Sequence, residues 1–63
     1  MIVRTAHMAN GDVFEVPADS VIGCFERGYV YGADAYGQHV LNVAQILYFG
    51  PREEAVWMKE GCE

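Results

Sequence analysis

Cys24, Cys62, His7 and His39 are the residues whose types could do nucleophilic or metal chemistry. A nucleophilic site needs a Ser or Cys beside a positioned His, and Cys24 with His39 is the pair on offer. Cys24 falls beside Phe25 in an apolar stretch, where burial leaves a thiol inert. A zinc site needs His and Cys at short spacing, and each of these four residues stands alone in the chain. Gly28, Gly32 and Gly37 match neither the dinucleotide nor the nucleotide phosphate-loop pattern. The chain is therefore read as a non-enzyme that holds no metal and no cofactor.

Charge and rings remain. Lys and Arg number 4 against 9 Asp and Glu, a net charge of −5 in 63 residues. Direct nucleic-acid binding needs clustered cations and is not expected. No apolar run reaches the roughly 18 residues of a membrane span, and no basic segment followed by an apolar one opens the chain as in a secretory precursor. The expected compartment is the cytoplasm, where Cys24 and Cys62 stay reduced. Asp12, Glu15, Asp19, Glu26 and Asp34 are spread over residues 12–34, with Tyr29, Tyr31 and Tyr36 in a Gly-rich segment beside Asp34. Tyr offers a large rigid surface with a polar tip and is enriched at interfaces. Carboxylates around it would steer it onto a basic patch. These eight residues form the expected partner-binding set.

The elements that must position them are short. Seven glycines and two prolines cut one small domain, residues 1–63, into pieces that favour strands. Ile2 to Met8 and Val13 to Val16 read as a hairpin whose Asn10-Gly11 suits a two-residue type I′ turn. That turn sets His7 opposite Phe14 and Thr5 opposite Val16. Val3, Phe14 and Val16 then share the core face, with Arg4 and Glu15 diagonal neighbours on the other. Pro17-Ala18-Asp19-Ser20 ends the strand. Val21 to Arg27 is read as a further strand. The helical alternative would be capped by Asp19 or Ser20 and would set Val21, Cys24 and Phe25 on one face.

Gly28 to Gln38 reads as a functional loop. Val40 to Val43 and Ile46 to Phe49 read as two central extended pieces joined by a tight corner. A short C-terminal helix is predicted from Pro51, with Glu53 and Glu54 in its first turn, Lys59 in its last, and Gly61 past its end. The predicted class is mainly β (α+β), either a small roll or an antiparallel meander, ending in that helix.

The Asn-Gly hairpin, the EVPADSV corner, the Gly-rich segment and VLNVAQILYF together resemble an SH3-like or Sm-like β-roll over about residues 2 to 49. The resemblance implies a one-turn helical corner between the last two strands, at Val43-Ala44-Gln45. In size and acidity the chain also resembles small phage-encoded proteins that block host machinery, the anti-CRISPR proteins among them. That resemblance implies a protein-binding inhibitor acting in the host cytoplasm. Its expected partner is a larger basic protein or nucleoprotein complex, probed through Lys and Arg sites that otherwise hold phosphate. The alternative is a homo-oligomeric structural or regulatory β module, a homodimer for example, pairing through a strand edge at Ile2 to Met8.

Overall fold

The computed structural model describes residues 1–58. The chain is mainly β: five antiparallel strands form one sheet in the order β4-β3-β2-β1-β5. They are β1 (Ile2–Met8), β2 (Val13–Pro17), β3 (Tyr29–Asp34), β4 (Gly37–Asn42) and β5 (Ile46–Glu54). Between β2 and β3 stand two single helical turns, α1 (Ala18–Val21) and α2 (Cys24–Arg27). A one-turn 3₁₀ helix, Val43–Gln45, joins β4 to β5, at the corner the roll pattern predicts. The Asn42 side chain accepts the Ala44 N–H at 2.9 Å and starts that turn.

The first hairpin forms in a different register from the one predicted. Gly11, at φ +97, is the only residue of the Asn-Gly pair with positive φ, so the type I′ turn is absent. The Gly11 N–H donates to the Met8 carbonyl at 3.0 Å and the Met8 N–H to the Asp12 carbonyl at 2.8 Å. That is a tight turn over Ala9 and Asn10 with Gly11 as a bulge residue. Asn10 stabilises it by accepting the Asp12 N–H at 3.0 Å. His7 therefore faces Val13, and Ala6 faces Phe14. A one-residue slip moves one strand's side chains to the opposite face relative to its partner. Phe14 and Val16 join Ala6 on one side, Val3 and Glu15 lie on the other, and Arg4 is no neighbour of Glu15.

Both faces carry a small core. On one, Ala6, Phe14, Val16, Val30 and Leu41 close under Cys24, with Phe49 and Ile46 at the margin. On the other, Val3 and Ala33 meet Met58, with Met1 and Ala55 beside them. The helical turns thus cover one face, and the segment after β5 covers the other.

Three further expectations change. Val21 to Arg27 forms no strand: α1 and α2 are helical turns on either side of Ile22 and Gly23, and Gly23 at φ +78 breaks both a ladder and a continuous helix. Gly28, at φ +89, ends α2 with its N–H on the Cys24 carbonyl. The C-terminal helix is replaced by strand. Pro51 to Glu54 continue β5, where a proline is tolerated because β5 is an edge. Lys59, Gly61 and Cys62 lie outside the described residues. Finally, β1 is central, paired on both sides, whereas β4 and β5 are the edges. Closing the last strand onto the first puts the N-terminal strand inside the sheet, so Ile2 to Met8 offers no free edge. Cys24 is buried as a free thiol.

Candidate functional site

Gly28 to Gln38 is not a loop. Tyr29 to Asp34 and Gly37 to Asn42 pair without a break, connected by Ala35 and Tyr36. Strand side chains alternate between faces, and this sequence obeys it. Val30 is 1% exposed, while Tyr29 and Tyr31 on either side of it are 41% and 55% exposed. The two tyrosine rings meet edge to face at 5.6 Å. Val40 stands directly opposite Tyr31 and is 64% exposed. Tyr31, Gln38, His39 and Val40 line a shallow depression of about 220 Å³.

Asp34 fixes the tip. Its carboxylate accepts the Tyr36 N–H at 2.9 Å and lies 3.1 Å from His39 Nε2. Partial desolvation opposes its charge, but the Tyr36 N–H, His39 and the Gly37 N–H outweigh that and hold the carboxyl below its ordinary value. Tyr36 is held at the turn, 95% exposed.

The remaining predicted residues divide. Asp12, in the first turn, lines a cleft of about 270 Å³ together with His39 and Asn42 of β4 and with Phe14 at its floor; the cleft opens on the first-core face, opposite Tyr29 and Tyr31. Asp19 and Glu26 sit exposed on α1 and α2, the turns that cover the other face of the sheet. Glu15 is no surface group. It is 4% exposed, and its carboxylate accepts three backbone N–H bonds, from Val56, Trp57 and Met58 at 2.8, 2.8 and 2.9 Å. The strand pattern explains it, since the register slip turns Glu15 inward with Val3 and Thr5.

Val40 and Asn42 are the surface residues that the sequence reading assigned to the centre of the fold. The alternation in GQHVLN, with Leu41 alone buried, is the signal that finds them. Two of the arginines are occupied within the chain. Arg4 donates to the Gly50 carbonyl at 2.7 Å, and Arg27 donates to the Ser20 carbonyl at 2.7 Å. Both keep their charge, but among residues 1–58 seven Asp and Glu still outnumber three Arg.

Among the described residues no group of three or more His, Cys, Asp or Glu is placed to hold a metal ion, and no helix is long and apolar enough to cross a membrane. No family model, curated protein or solved structure matches the chain.

Proposed function

We propose that this chain is a non-enzymatic docking domain. It sets the β3–β4 hairpin on a larger basic protein that handles nucleic acid, with Tyr29 and Tyr31 on one face, Asp34 and Asp12 toward the other and Tyr36 at the tip. Its carboxylates take Lys and Arg positions that otherwise hold phosphate, and the outcome is inhibition, as in the phage-encoded blockers that the chain resembles. The observation that carries this reading is one hairpin that turns three tyrosines outward while its own turn is pinned by Asp34. Rigid aromatic rings of this kind lose little entropy on binding.

The test is capture of basic proteins from a cell extract by the wild type and by a Tyr31→Ala/Tyr36→Ala variant. Proteins held by the wild type at about 0.05 M salt should be released near 0.5 M, where charge steering is screened. The double variant should lose them. Equal capture by both proteins, or capture indifferent to salt, sinks the reading.

A further inference from the structure

The two free edges of the sheet are built differently. β5 is irregular against β1 at two places, carries Pro51, and ends in Arg52, Glu53 and Glu54. Such features stop an edge from pairing with another chain. β4 has none of them. Its register with β3 runs unbroken from Gly37 to Asn42, and its GQHVLN sequence contains no Pro, Lys, Arg, Asp or Glu. Among the described residues no strand pairs with its outer edge.

We propose that β4 is a dimer edge, pairing antiparallel with β4 of a second copy of this chain about a two-fold axis at Val40. A two-fold axis normal to the sheet sets residues of the same face opposite one another. With Val40 on that axis, Val40 faces its own copy, Gln38 faces Asn42 and His39 faces Leu41. Because Tyr31 is the cross-strand neighbour of Val40, a stripe of Tyr31, Val40, Val40 and Tyr31 then runs across the joined sheets. The pairing sets the two Val40 side chains, each 64% exposed in a single copy, beside one another. Gln38 and Asn42 each offer an amide donor and acceptor to the other.

Charge selects the occupant. Each copy carries −5, so two copies repel over most of their surfaces. β4 is a strand on which they can meet without setting carboxylate against carboxylate. Asp34, the one carboxylate of this hairpin, lies at its far end beside Gly37. A cationic partner gains nothing from a strand that bears no acidic group. The dimer does not rest on the docking reading above, and its readout is separate.

Light scattering of the full chain from about 1 to 500 μM reads the equilibrium by mass action. The mass should rise from 7.0 kDa toward twice that value. Raising salt from about 0.05 to 0.5 M should leave the dimer unchanged or tighten it, since screening relieves the repulsion. Val40→Lys sets two ammonium groups against each other on the axis and should weaken the dimer at least about tenfold. Gln38→Lys, on the same face, serves as a second variant. Leu47→Lys, at a β5 position 66% exposed, should not weaken it. Circular dichroism checks that each variant folds. A 7.0 kDa monomer throughout, or a dimer indifferent to both β4 variants, overturns the proposal.

Discussion

The Glu15 carboxylate accepts the Trp57 backbone N–H at 2.8 Å, across 42 positions of chain. With its bonds to Val56 and Met58 it ties the segment after β5 to the middle of the sheet and closes the second core over Val3 and Ala33. Glu15→Gln keeps one acceptor oxygen and turns an amide N–H₂ toward a backbone N–H. The expected loss is about 1 to 3 kcal/mol, the range for a hydrogen bond to a charged acceptor and for a buried donor left unpaired. Glu53→Gln, at an exposed position, should stay within about 0.5 kcal/mol of wild type. Urea denaturation of the two variants checks the difference.

Among the described glycines, Gly32 and Gly50 are the two where the backbone passes too close for a side chain. A Cβ on Gly32 would meet Leu41 Cδ1 at 2.7 Å and Phe14 Cβ at 3.1 Å, both inside the first core. A Cβ on Gly50 would run into Thr5 Oγ1. Gly32→Ala and Gly50→Ala should each cost about 1 to 3 kcal/mol by overpacking. Gly32 needs no positive φ, so a cost at that position reports crowding alone. Thr5→Ser, paired with Gly50→Ala, leaves the hydroxyl in place and should not rescue it, whereas Thr5→Gly should rescue part of the loss. Thermal melts of the single and double variants read this out.

The strand content is legible because glycine, proline and turn chemistry are local, and the one-turn corner at Val43 to Gln45 follows from the β-roll resemblance. The sequence reading puts the tyrosines in a loop, and they stand on a strand and its turn. It misplaced whatever depends on register and closure. Asn10-Gly11 fits two hairpin turns that differ by one residue, and that single residue decides whether Glu15 is a surface charge or an interior clasp. Pro51 suits a helix start as well as an edge strand. Only the pairing of β5 with β1 distinguishes them, and the same pairing moves β1 from edge to centre. Of the expected binding set, Tyr29, Tyr31, Asp34 and Tyr36 lie on one hairpin, with Asp34 on the face opposite Tyr29 and Tyr31. Asp19 and Glu26 separate from them because Gly23 folds their segment into helical turns.

Asp34 supplies a pH dependence whose sign is fixed. Its carboxyl is held below the ordinary value by the Tyr36 N–H, His39 and the Gly37 N–H, against a partial desolvation. A group whose pKa is lower in the folded state stabilises the fold above its unfolded pKa, about 3.9 for Asp. That contribution is lost as pH falls through the folded value. Asp34→Asn keeps an oxygen for the Tyr36 N–H but removes the charge. The stability gap between wild type and Asp34→Asn should therefore be present at about pH 5 and close below about pH 4. Urea melts across that range test it, and a gap that persists or widens below about pH 4 would contradict the assignment.

Phe14 and Tyr36 make the sharpest contrast between a ring that builds the fold and a ring free to bind. Phe14 is 9% exposed and sits in the first core, while Tyr36 is 95% exposed at the tip of the β3–β4 turn. Truncating a buried Phe removes its transfer free energy and leaves a cavity, about 3 to 5 kcal/mol. A domain of this length has about 3 to 9 kcal/mol in all, so Phe14→Ala should unfold much of the population at room temperature. Tyr36→Ala removes a ring that water already surrounds, and the Tyr36 N–H that Asp34 accepts belongs to the backbone. Its stability should stay within about 0.5 kcal/mol of wild type. Chemical denaturation followed by circular dichroism separates the two outcomes. A large loss from Tyr36→Ala would mean that its ring packs against the fold and is not free to dock.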